Sequence, residues 1–111
     1  MLLPVGSLPD DPLAAAADFH AGSLPKVLAA LDRGADQITL VFEPAEHGHR
    51  EWREAVVATL AREKAPARIN AVASSDEAAI AAAETYLAAA PGLTGHYLVL
   101  DGLDAGTVII P

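Results

Sequence analysis

The residues best placed for chemistry stand together in one stretch, EPAEHGHREWRE (Glu43–Glu54). His47 and His49 lie two apart, with Glu43, Glu46 and Glu51 around them. Imidazole nitrogens and carboxylate oxygens form a donor set for a divalent metal. With Arg50 the same carboxylates can also hold a small polar ligand. The spacing matches no established metal signature, and a third ligand has to be supplied by the fold. The competing reading is a solvated loop whose acids favour the positive end of the helix that follows. Glu43, Glu46, His47, His49 and Arg50 are therefore the ligand-loop candidates. Trp52, the single tryptophan, either stacks on a ligand or anchors a core or an interface.

Other chemistry-bearing residues are thinner on the chain. Ser74 and Ser75 precede a helix, where backbone N–H groups can meet an anion. Helix capping is the simpler task, and Asp76 and Glu77 would repel an anion. His20 and His96 have no chemical partners nearby in sequence, and Asn70 reads as a packing or hydrogen-bonding residue. Asp101-Gly102 and Asp104-Ala105-Gly106 are turn formers first. The sequence has no cysteine, which excludes disulfides, thiolate metal sites and cysteine nucleophiles.

Positioning these residues falls to alternating helices and strands. LLPV (Leu2–Val5) is a candidate edge strand, where Pro4 is tolerable. A helix is expected from Pro12 to about His20, capped by Asp10 or Asp11. A second is expected after a Ser23 cap, with Leu24, Val27, Leu28 and Leu31 on one face and Gly34 at its end. QITLVF (Gln37–Phe42) is β-branched and apolar, as a strand buried on both faces is. The third helix is expected over Arg50–Lys64, with Trp52, Val56, Thr59, Leu60 and Glu63 at helical spacing and Ala55, Val57 and Ala61 widening the apolar face. RINAVA (Arg68–Ala73) is the next strand. Ser74 with Glu77 forms a capping box for a helix over Asp76–Ala89, which turns Ile80, Ala83 and Leu87 inward. HYLVLDG is the last strong strand, and DAGTVII a short extended tail. The order is (β)ααβαβαβ, which implies parallel strands joined by right-handed crossovers.

Composition bounds the rest. The 111 residues suit one domain, 1–111, with one core. A hydrophobic fraction of 52% against 20% charged residues is that of a globular chain. The formal net charge is −8. The basic residues of the third helix region interleave with Glu46, Glu51, Glu54 and Glu63, so neither nucleic acid nor an anionic membrane is an expected partner. No signal peptide or membrane span is read, and the expected location is cytoplasmic.

LAREKAPARINAVA resembles the long helix and following Arg-(Val/Ile)-Asn-Ala-Val-Ala strand of the short-chain dehydrogenase/reductase family. SSDEAAIAAAETYLAAAPGLTGHYLVLDG resembles that family's next helix, Thr-Gly turn and last strand. The resemblance covers roughly Gln37–Gly102, the family's C-terminal half. It implies a small three-layer Rossmann-like α/β fold, with three central strands, short edge strands and about four helices. It also shows what is changed. No Gly-x-x-x-Gly-x-Gly turn is present to approach a pyrophosphate. The family's Tyr-x-x-x-Lys pair falls near Glu46 and Arg50, its catalytic Ser near Glu43-Pro44, and its Pro-Gly at the nicotinamide pocket on Ser74-Ser75. An ionised glutamate and an arginine cannot simply replace the phenol and lysine. The resemblance therefore implies a non-catalytic or pseudo-enzyme domain with no cofactor. In the family the long helix joins a four-helix dimer interface, which makes Trp52, Val56 and Leu60 the interface candidates. The expected partner is a second copy or a full-length dehydrogenase relative. The alternative is a small-ligand or metal-binding module, or a minor enzyme, using the Glu43–Arg50 loop.

Overall fold

In the computed structural model, which describes residues 1–100 and 108–109, four parallel strands form a sheet in chain order. They are β1 (Leu2–Gly6), β2 (Gln37–Phe42), β3 (Arg68–Ala73) and β4 (Tyr97–Leu100). A two-residue strand, β5 (Val108–Ile109), lies antiparallel on the far edge of β4. The central pair is in continuous register from Gln37 opposite Arg68 to Phe42 opposite Ala73. The Leu2–Val5 run does join the sheet, as an edge strand. Its register with β2 slips between Pro4 and Gly6, where Gly6 takes a positive φ of 83°. The turns around Asp101 and Asp104 lie outside the described residues.

The helices are α1 (Pro12–Asp18), α2 (Leu24–Asp32), α3 (Arg50–Glu63) and α4 (Glu77–Ala88). Asp11 caps α1, its Oδ2 accepting from the Ala14 amide at 2.9 Å. The expected break before α2 does not occur. A π turn, Phe19–Ser23, joins α1 to α2, and Ser23 makes no side-chain cap. Pro25 cannot donate an i−4 hydrogen bond, and the widened turn ahead of it accommodates the loss. The turn sends Phe19 into the core and leaves His20 outside. Of the predicted face of α2, Val27 is buried and Leu24 and Leu31 pack partly buried against the core, joined by Ala30, while Leu28 is exposed. The helix ends as expected at Gly34, with φ of 98°.

The sheet has a separate core on each face. On one side the π turn, α2 and α3 pack Phe19, Val27, Val57, Leu60 and Ala61 against Ile38, Leu40, Phe42, Ile69 and Ala71. On the other, α4 packs Ala79, Ala83 and Leu87 against Val72, Leu98 and Leu100. The strands advance in one direction across the sheet. The connections through α1–α2 and α3 therefore share one hand, and that through α4, on the opposite face, has the other. Uniform right-handed crossovers are thus not found: the side of the sheet that α4 covers sets its hand.

Two local readings also shift. The cap of α4 is Asp76, whose Oδ1 accepts from the Ala78 amide at 2.9 Å and the Ala79 amide at 3.3 Å. Ser74 does not form the expected box. It is buried, and its Oγ accepts from the Asp76 amide at 3.0 Å. The inward face of α3 is Arg53, Val57, Leu60 and Ala61, one residue round from the expected stripe, and Glu63 is exposed.

Candidate functional site

The Glu43–Arg50 segment leaves the C-terminal end of β2, crosses a short 3-10 turn (His47–His49) and enters α3. Beside it runs the loop after β1. Between the two loops lies a cleft of about 490 Å³, lined by Gly6, Ser7, Asp10, Glu43, Glu46, His49 and Arg53 among others. The ends of adjacent parallel strands diverge into their loops, so open α/β sheets bind ligands there.

Ties between the two loops shape the cleft. The Ser7 hydroxyl donates to Glu43 Oε2 at 3.2 Å. His49, only 8% exposed, has its Nε2 2.8 Å from the Asp10 carbonyl oxygen. The Trp52 indole N–H donates to His49 Nδ1 at 3.2 Å. A carbonyl accepts and an indole N–H donates, so these partners fix the tautomer with the proton on Nε2. Both ring nitrogens are engaged, and a metal would have to break one of these bonds. His47 is exposed. Among the described residues no three of His, Asp or Glu come together as a metal site. The fold thus brings Glu43, Glu46 and His49 to one cleft but does not assemble the metal cluster that His47 and His49 suggested. Arg50 turns away, its Nε donating to Glu54 at 2.9 Å.

Arg53 was not singled out by the sequence reading, because charge on a mixed-charge helix reads as a solvated face. It is 3% exposed and lines the cleft. Its Nη1 donates to the Glu43 carbonyl at 3.0 Å and the Tyr97 hydroxyl at 3.2 Å. Its guanidinium lies 4.5 Å from the centre of the Phe42 ring, a cation–π contact. Phe42 in turn packs on Phe19 at 5.6 Å, Trp52 at 5.8 Å and Tyr97 at 6.1 Å between ring centres. The signal available in sequence was position: Arg53, Val57 and Leu60 share one helical stripe.

The other matched positions are structural in this fold. Asn70 is fully buried, its Nδ2 donating to the Leu93 carbonyl at 3.1 Å and its Oδ1 accepting from the His96 amide at 3.0 Å. It pins the loop before β4 to the middle of β3, the hydrogen-bonding role expected of it. Thr94 accepts from the Ile69 amide at 3.1 Å. Gly95 holds a φ of 81°, where a Cβ would stand 3.4 Å from that of Ala61. The Thr-Gly turn is thus fitted to both β3 and α3.

A family model described as SDR-like, short chain dehydrogenase-like protein, matches residues 3–100. The chain belongs to this short chain dehydrogenase-like family. The matched span runs from β1 to the end of β4, so it takes in Asn70, the Thr-Gly turn and the cleft. Searches of curated proteins and of solved structures return no match.

The interface candidates separate in this short chain dehydrogenase-like fold. Leu60 is 6% exposed and belongs to the core, so it presents no surface to a partner. Trp52 and Val56 are half-buried. With His20, Ala55 and Thr59 they line a shallow depression of about 300 Å³ between the π turn and α3. Among the described residues no helix is long and apolar enough to cross a membrane.

Proposed function

We propose that this short chain dehydrogenase-like domain carries out no hydride transfer and works through association, with a second copy of itself or with a dehydrogenase-like partner. The observation that carries the first half is the state of the loop after β2. The two residues at the family's Tyr-x-x-x-Lys positions are Glu46, an exposed carboxylate, and Arg50, held by Glu54. The phenol near the site, Tyr97, is buried against Arg53. Among the described residues no phenol–lysine pair lines the cleft to exchange a proton with a carbonyl oxygen.

Association is supported by the outer surface of the helices on the α3 side. Leu13 on α1 is 83% exposed, Leu28 on α2 is exposed, and the depression at Trp52, Ala55 and Val56 lies on α3. A second route, strand addition on β1, is disfavoured because Pro4 offers no N–H to a new neighbour. The chain reads as the family's C-terminal half: four parallel strands in chain order support it, with β1 where the first half would join.

Light scattering on the purified protein tests this reading. A dimer mass at micromolar concentration is expected, falling to the monomer in Val56→Glu and Leu13→Glu with unchanged circular dichroism. A monomer at every concentration rejects self-association. Turnover of NADH or NADPH with a carbonyl substrate rejects the non-catalytic half.

A further inference from the structure

Among the described residues, Arg53 is the only Arg, Lys, Asp or Glu that is buried, and it makes no ion pair. Arginine cannot shed its charge at accessible pH, and a buried charge is stable only when matched. Nη1 meets two neutral acceptors, the Glu43 carbonyl and the Tyr97 hydroxyl. Nε has no hydrogen-bond partner at all. Arg53 is one of the residues lining the cleft between the β1 and β2 loops, so the unmet donor belongs to a cleft residue. The remaining charges lining that cleft are acidic: Asp10, Glu43 and Glu46. Glu43 makes no ion pair with Arg53, and its Oε2 accepts from the Ser7 hydroxyl.

These charges select a ligand. A bare anion would be drawn to Arg53 but repelled by three carboxylates. A bare cation would suit the carboxylates and leave Arg53 unmatched. We propose that the cleft binds a small zwitterion of the amino-acid class, its carboxylate on the Arg53 guanidinium and its ammonium group among the carboxylates of Glu43, Glu46 and Asp10. A planar carboxylate matches the fork of a guanidinium, and a charge-assisted pair of this kind is the strongest hydrogen bond the site can make. The volume of about 490 Å³ admits a molecule of that size with room for a side chain.

The arginine Nε–H resonances of the intact protein, labelled with nitrogen-15, give a direct readout. Glycine, β-alanine and 4-aminobutyrate are the probes, because they space the two charges differently. Sodium acetate and ethylammonium chloride at equal ionic strength are the controls. The Arg53 Nε–H signal, assigned by its loss in Arg53→Lys, is expected to shift saturably with at least one amino acid. That amino acid should bind roughly 10-fold tighter than acetate, as a second charge-assisted contact implies. The amides of Ser7 and Glu43 should report weaker binding in Arg53→Lys. Should that variant not fold, Glu46→Gln, an exposed change on the rim, is expected to weaken binding in its place. The proposal is overturned if no probe shifts the Arg53 signal, or if acetate or chloride shifts it as far. Tighter binding in Glu43→Gln also overturns it, since Glu43 would then be the counter-ion.

Discussion

Thr39 stands in the middle of β2 on the α4 side, fully buried, and its hydroxyl has no hydrogen-bond partner. An orphaned buried hydroxyl carries its desolvation cost with no return, so an apolar residue of the same shape is better accommodated. Thr39→Val is expected to stabilise the fold by about 1 kcal/mol, read from the midpoint of urea denaturation with unchanged slope. Residue-level chemistry was only partly legible in the sequence. Glu43, Glu46 and His49 were found as neighbours because they share one short stretch. The function of His49 was not, because its two partners, Asp10 and Trp52, come from a loop 39 residues away and from the next helical turn. Arg53 was hidden for a similar reason: its burial depends on Tyr97 and Phe42, which the strands bring in.

Elements were more legible than their caps and faces. QITLVF and RINAVA announce themselves by apolar, strand-favouring residues, and they pair residue for residue. The start of α4 was misread because Ser74 and Glu77 have the spacing of a capping box, while Asp76 is two residues closer to the first free amides. The two readings predict different losses. Asp76→Ala should cost about 1 kcal/mol in chemical denaturation, as the loss of an N-cap does. Glu77→Gln should cost no more than a few tenths, the share of a first-turn charge on the helix dipole. Equal losses in the two variants would restore the capping box. The face of α3 was misplaced by one residue because Ala55, Val56, Val57 and Ala61 leave few polar positions to mark its outside. The hand of the α4 connection was not legible, since apolar periodicity says that a helix packs on a sheet but not on which side.

At the scale of the molecule, the sheet separates two hydrophobic clusters of unequal size. The larger holds side chains of α2, α3 and the π turn and the aromatic group around Phe42. The smaller is served by α4 alone, with alanine at two of its three buried positions. Polar contacts add to this packing at the end of α4. Arg68 Nη1 donates to the carbonyls of Leu87 and Ala90, each at 3.0 Å, satisfying the end of the helix, and Asn70 holds the loop beyond it. Each half of the molecule therefore has its own fastenings, and they meet through the strands between them and the Thr-Gly turn that packs on α3.

That division gives the protein an expected order of opening. Amide hydrogens of α4 should exchange with deuterium through partial opening, well before those of β2 and α3, which should exchange only through global unfolding. Mass-spectrometric exchange read by peptide tests this, and equal rates across the chain would contradict it. The cleft between the β1 and β2 loops is built on the slow side. A ligand held there would meet a surface that stays closed while the far side of the sheet breathes.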